Sequence, residues 1–294
     1  MTRPRRLLDT SAVTVLFAAA TALSIHAGYF RMFSFFASWD DEGYMLVSLR
    51  SFRTLGALYT EVYSQYGPLY FVVMDLLFDG LGLPVTHDTG RLVTLGLWTA
   101  ASLLCGLVAW RLTRSAGLGL SVQLLVFRNL QVLHFEPMHP GGALCLLLAC
   151  VAALPLLHPS RPRLAAALLG AGVAGAALVK VNVGVFALLA AACFIATGLA
   201  APARRRAATI AVTLAIGTLP FALMWPALAE PWGLRSAIHA AVSAFLVAVA
   251  VGSIGPDERV RPTPIGWWAA GGAGLALLVA AEVLLRGTTP RDLI

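Results

Sequence analysis

Charge is scarce in this chain, and lysine is nearly missing from it. Charged residues make up 12% of the 294 positions, against 59% hydrophobic, and Lys180 is the only lysine among 21 basic residues. With a mean hydropathy of +0.81, no water-soluble domain of this size could hide so much apolar surface in one core. Long polar runs are missing too, as is strand-period alternation, which excludes a barrel. The cysteines are few: Cys105, Cys145, Cys150 and Cys193 all sit inside apolar blocks without metal-ligand spacing, where they read as small buried hydrophobes. There is no phosphate-cradling glycine loop, no Cys/His zinc spacing and no Ser-His-Asp pattern, so no nucleotide cofactor is expected.

What is present is a series of apolar blocks of about 16 to 22 residues, the length that crosses roughly 30 Å of hydrocarbon as a helix. The expected fold is all-α, a polytopic transmembrane helical bundle forming one domain over 1–294. The net charge of +7 does not point to nucleic acid, because the arginines fall in short clusters between apolar blocks. The preference of arginine-rich loops for the cytoplasm explains that placement. The N-terminus, Arg111/Arg114, Arg161/Arg163, Arg204 to Arg206 and Arg259/Arg261 mark the cytoplasmic side. About nine crossings follow, near 11–31, 91–110, 118–133, 142–157, 164–180, 183–200, 207–228, 237–253 and 264–285. The first block follows Arg3, Arg5 and Arg6 without a small-residue cleavage site and reads as a retained anchor.

Residues 32–90 then form the first external loop. Within it, Gly43 to Leu55 places Met45, Leu49 and Phe52 on one face, with Ser48, Ser51 and Arg53 away from it, the pattern of an interfacial amphipathic helix. Pro68 to Leu83 is too short to span comfortably and carries Asp75 and Asp79 one helical turn apart, so it is expected as a re-entrant helix.

This topology gathers Asp40, Asp41, Glu42, Glu61, Glu136 and Glu230 on the external face. Asp40, Asp41 and Glu42 read either as solvated loop charge or as a general base or metal-binding carboxylate at the membrane surface. His134, Glu136 and His139 are dense for so short a link between two spans. Lys180, with Asn182 and Gly184 beside it, either snorkels to headgroups or offers a compact charge to phosphate. Arg91 and Arg128 oppose the positive-inside bias and call for a local acid or a phosphate. The run "YSQYGPLYF" supplies Tyr63, Gln65, Tyr66 and Tyr70, aromatics that serve as an interfacial belt or as stacking surfaces for sugar rings.

An acidic pair after the first membrane helix, a loop ending "YSQYGPLYF", an arginine opening the next helix and an acid in the second external loop together resemble the GT-C glycosyltransferases. The nearest group is that of protein O-mannosyltransferases and lipid A aminoarabinose transferases, often called glycosyltransferase family 39-like. The similarity covers roughly Arg3 to Ala200. It implies inverting transfer of a sugar from a polyprenyl-phosphate donor to a glycan, lipid or protein acceptor, on the external face of the cytoplasmic membrane.

By that resemblance Asp41 matches the first-loop catalytic aspartate, Glu42 its acidic neighbour and Glu136 the second-loop acid. Lys180 or Arg91 faces the donor phosphate. Asp40, His139, Tyr66, Gln65 and Asn182 complete the expected substrate contacts, and a divalent metal, Mg or Mn, would sit on Asp41 and Glu136. The chain has "YGPLY" where many members carry a His-Pro-Pro run, and glutamate where the second-loop acid is more often aspartate. It is also shorter than most members, as a compact member, a fragment or a subunit with a partner would be. The competing expectations are a transporter or flippase for a lipid-linked or anionic solute, with Lys180, Arg128 and the acids as embedded binding charges, and a non-catalytic scaffold in envelope assembly.

Overall fold

The structure, a computed structural model, describes residues 10–34, 42–133, 136–158, 160–197, 199, 201–253 and 264–293. Among them there is no strand, only helices joined by short links. In chain order they are α1 (Thr10–Ser34), α2 (Glu42–Thr54), α3 (Pro68–Gly80), α4 (His87–Thr113), α5 (Ala116–Leu133), α6 (Gly141–Leu157), α7 (Pro162–Val179), α8 (Val181–Thr197), α9 (Pro202–Leu223), α10 (Pro231–Ser253) and α11 (Ile265–Leu285). Each expected span overlaps one of these helices, although 207–228 is displaced from α9 by five residues toward the C-terminus at both ends. Their starts follow local chemistry. Prolines at the first helical positions of α3, α7 and α9 give up an N–H that has no partner there anyway. The Thr86 hydroxyl caps α4 by accepting from the Thr89 N–H.

Five helices, α1, α4, α7, α9 and α11, are long and apolar enough to cross a membrane, and α6 and α8 are shorter apolar helices. Side chains such as Leu214, Phe245, Leu277 and Leu278 stand exposed along α9, α10 and α11, which is tolerable where the surrounding solvent is hydrocarbon. The protein is therefore a multi-pass membrane protein.

The chain divides into two compact units, residues 1–156 with 277–294, and residues 157–276. In the first unit α1, α4 and α5 enclose a core of Met32, Leu95, Trp98, Ala101, Phe127 and Leu130. A polar clamp crosses the apolar packing, the Gln123 amide donating to the Thr21 hydroxyl at 2.8 Å. In the second unit glycines let backbones meet. A Cβ on Gly170 would lie 1.8 Å from the Trp268 carbonyl oxygen, and one on Gly271 would lie 1.9 Å from that of Ala167, so α7 and α11 pack main chain against main chain.

The first loop folds as α2 and α3. Met45, Leu49 and Phe52 are fully buried, but against protein, since α2 packs on α3 and α4. Ser48 departs from the expected pattern. It lies three residues after Met45, on the same helical face, and is buried at 5% exposure. The start of α2 and the start of α4 meet at a salt bridge, so the chain returns from α3 to the end of the unit that it left. Contacts described below bring four helix ends together there: the end of α1, the starts of α4 and α6, and the end of α11.

Candidate functional site

Two clusters occupy this loop end of the first unit, and the first of them is ionic. Glu42 opens α2, where the helix dipole favours a carboxylate, and it is fully buried. Arg91, in the first turns of α4, grips it as a fork: Nε donates to Oε1 at 2.9 Å and Nη2 to Oε2 at 2.8 Å. The third donor, Nη1, reaches the Met32 carbonyl in the last turns of α1 at 2.8 Å, and His87 Nδ1 lies 3.1 Å from Glu42 Oε1. Of the two partners expected for Arg91, an acid or a phosphate, the acid is in place. Planar, bidentate pairing of this kind fixes orientation as well as charge, and one arginine thus joins α1, α2 and α4.

The second cluster joins the loop before α3 to the link between α5 and α6. Residues 57–66 form a compact, internally bonded turn. Tyr59 N–H donates to the Val62 carbonyl at 2.8 Å, and the hydroxyls of Tyr59 and Ser64 donate to the Tyr66 carbonyl at 3.0 and 3.1 Å. Burial pushes the Tyr59 phenol up to about 12, so it remains a donor. The Tyr66 ring is buried and meets the His139 imidazole edge-on, with centroids 5.6 Å apart. His139 is itself constrained: its N–H donates to the Glu136 carbonyl at 3.0 Å, and its Nδ1 accepts from Gly141 N–H, also at 3.0 Å, capping α6. Accepting at Nδ1 places the proton of the neutral ring on Nε2.

Between these residues Met138 adopts a left-handed backbone, φ +65°, a conformation a long side chain rarely takes unless its surroundings impose it. Here they do. Its N–H donates to Thr94 Oγ1 at 2.8 Å, and its carbonyl accepts the Tyr70 hydroxyl. That hydroxyl is held in its neutral form by burial, its pKa pushed far up, with Tyr66 adding to the effect.

The structure therefore unites Glu42 with Arg91, and Tyr66 with His139, whose backbone N–H reaches the Glu136 carbonyl. Glu136 is half-buried and Gln65 exposed. Asp40 and Asp41 directly precede Glu42 and lie outside the described residues, as does His134. Lys180 and Asn182 belong to the second unit. Lys180 is the single extended residue between α7 and α8, its N–H donating to Ala176 and its carbonyl accepting from Gly184. Asn182 is exposed, its Oδ1 accepting from Val183 N–H at 2.9 Å. Arg128 is exposed and within 3.4 Å of Gln131 Oε1. Among the described residues no three His, Cys, Asp or Glu side chains gather as a metal-binding group.

A third set of residues escaped the sequence reading. Asp75 accepts from Arg53 at 3.1 Å and from Arg286 at 2.7 Å, while Arg53 also reaches Asp79 at 3.0 Å. The sequence showed the two aspartates one turn apart on an apolar helix, but not the cations they would pair with. Their partners lie on α2 and after α11, where no spacing rule points. No protein-family profile, curated protein or solved structure matches this chain.

Proposed function

We propose that the protein is a membrane glycosyltransferase that moves a sugar from a polyprenyl-phosphate donor to an acceptor hydroxyl, with inversion, at the external face of the cytoplasmic membrane. The observation that carries this reading is the convergence of the first loop with the second at one end of the bundle, through Tyr66 on His139 and Tyr70 on Met138. In the proposed reaction the acceptor oxygen bonds to the anomeric carbon as the bond from that carbon to the phosphate oxygen breaks. The electron pair leaves with polyprenyl phosphate, and the acceptor proton passes to Asp41.

Glu42 and Arg91, bonded to each other and to His87 and the Met32 carbonyl respectively, hold the start of α2, the helix that follows Asp41 in the chain, and are assigned to positioning. Glu136 and His139 border the acceptor, with Tyr66 orienting the imidazole. Lys180 belongs to the second unit and is assigned no part in this step. The described residues do not supply a metal set, so no step is drawn through a metal. The reading also places α3 as a re-entrant helix.

The test is to incubate membranes containing wild type or Asp41→Asn with labelled polyprenyl-phosphate sugars and to follow free polyprenyl phosphate. Release by wild type, falling by about 100-fold or more in the variant, is expected from loss of a general base. If folded wild type consumes no donor, or Asp41→Asn matches it, the reading is overturned.

A further inference from the structure

Beyond the two clusters lies a contact that neither the helix packing nor the proposed reaction requires. The chain emerging from α11 turns onto the first loop and stays there for seven residues. Leu58 N–H donates to the buried Thr288 hydroxyl at 2.9 Å, across 230 residues of sequence. The hydroxyls of Thr60 and Thr289 both donate to Asp292 Oδ2 at 2.6 Å. Gly56, at φ +85°, lets the loop touch the Arg286 carbonyl, which would lie 2.5 Å from any Cβ placed there.

Arg286 is the centre of this contact. Its guanidinium meets Asp75 of α3 at 2.7 Å and Glu282 of α11, also at 2.7 Å, and lies over the Phe52 ring of α2 at 4.7 Å. Burial works against its charge, but the bonds to Glu282 and Asp75 outweigh it and hold its pKa above the ordinary value. A cation with one carboxylate would be an ordinary pair; this one addresses α2, α3 and α11 together.

The contact continues inward. Phe52 packs on Phe71 at 5.8 Å, and the next residue toward the start of α3, Tyr70, is bonded to the Met138 carbonyl in the second loop. Met138 in turn separates Glu136 from His139. A rotation of α3 about its own axis would move Asp75 and Tyr70 together, because the two lie five residues apart on one rigid helix. We propose that Arg286 is a positioning residue for the loop-end site. By fixing the rotation of α3 against α2 and α11, it sets the junction between Tyr70 and Met138 and so the placement of Glu136 and His139. The catalytic consequence rests on the transferase reading; the mechanical coupling does not.

The test uses the full chain in lipid nanodiscs, with amide hydrogen exchange followed by mass spectrometry on wild type, Arg286→Gln and Arg286→Lys. Arg286→Gln leaves Asp75 with Arg53 alone and removes the cation from Phe52. Exchange is expected to rise about tenfold in two separated segments, 57–70 and 138–142, while the interior of α4 keeps its protection. Lysine keeps the charge but loses the fork and the planar stacking, so Arg286→Lys should raise exchange in the same two segments by a few-fold. It also serves as the folded comparison should Arg286→Gln not assemble.

A rise confined to 56–60 and 282–292 is what a purely local anchor would give, and it overturns the proposal, as does no rise at all. A second arm measures donor consumption. Arg286→Lys is expected to lower kcat with KM unchanged, since acid placement is disturbed and donor contacts are not. A raised KM with unchanged kcat contradicts the positioning role. Exchange responding as expected while wild type consumes no donor would retire the transferase reading and leave the coupling standing.

Discussion

The two units solve the problem of holding helices together by opposite means. At the loop end of the first unit, side chains from three helices and from the chain after α11 meet through charge and hydroxyls: Glu42 with Arg91, Asp75 with Arg53 and Arg286, and Tyr70 with the Met138 carbonyl. In the second unit the close contacts are main chain on main chain, at Gly170 and Gly271, around an apolar cavity of about 390 Å³ lined by residues such as Val173, Ala177, Leu188 and Ala273. Packing of small residues needs only van der Waals contact and survives in lipid, where apolar burial gives helices no reason to associate. Bidentate ion pairs are a costly way to join helices and give direction in return. The first unit holds these buried ion pairs, and the cost of keeping them in place is visible there.

Glu42→Gln should break this contrast most severely. Its side chain is 1% exposed and that of Arg91 13%, so the variant takes from a largely buried guanidinium the carboxylate that forks onto it. Breaking a buried pair from one side costs about 3–5 kcal/mol. In detergent, thermal unfolding should shift strongly down, and the double variant Glu42→Leu/Arg91→Met should recover part of the loss. No recovery would mean that the bond from Arg91 to the Met32 carbonyl, rather than the pair, carries the stability of this junction.

Gly170→Ala tests the other unit. The added methyl meets the Trp268 carbonyl at a distance no real contact allows, so α7 and α11 must separate, at about 1–3 kcal/mol as for other overpacked sites. Gly217 on α9 has nothing within 4 Å of its Cβ position. Gly217→Ala should therefore leave the melting temperature level or raise it slightly, through helix propensity alone. Equal losses at both positions would erase the distinction between packing and propensity.

The helices were legible because apolar blocks and their caps are local. Expected bounds of 118–133 and 142–157 differ by one or two residues from the observed α5 and α6, since Pro140 and the glycines after it mark the start of α6. Partner choice is not local. Asp75 and Asp79 were noted only as two acids one turn apart on an apolar helix; that Arg286 pairs with Asp75 follows from the return of α11 to the first loop, which no periodicity encodes. Ser48 was assigned to the polar face because serine is polar, but a hydroxyl so small packs beside Met45 and Leu49 with little loss. The convergence of Tyr66 on His139 was partly foreseen, both having been assigned to one face by the arginine loops. Their edge-on contact depends on the left-handed Met138, which nothing in "EPMHP" announces.

The smallest expected effect concerns the Asp292 clasp, and its pH dependence has a definite sign. The hydroxyls of Thr289 and Thr60 hold the Asp292 carboxyl below its ordinary value. A group with a lowered folded pKa contributes stability that is present above the unfolded value, about 3.9, and lost as pH falls through the folded one. Wild type should thus keep a constant small margin in melting temperature over Asp292→Asn from neutral pH down to roughly 4, and the margin should close below that. Because Asp292 lies at the surface, the margin is near the limit of a melting curve, as surface interactions of this kind usually are. A margin that instead widens on acidification would mean that the carboxylate repels its surroundings, and the clasp would then depend on Thr288 and Arg286 alone.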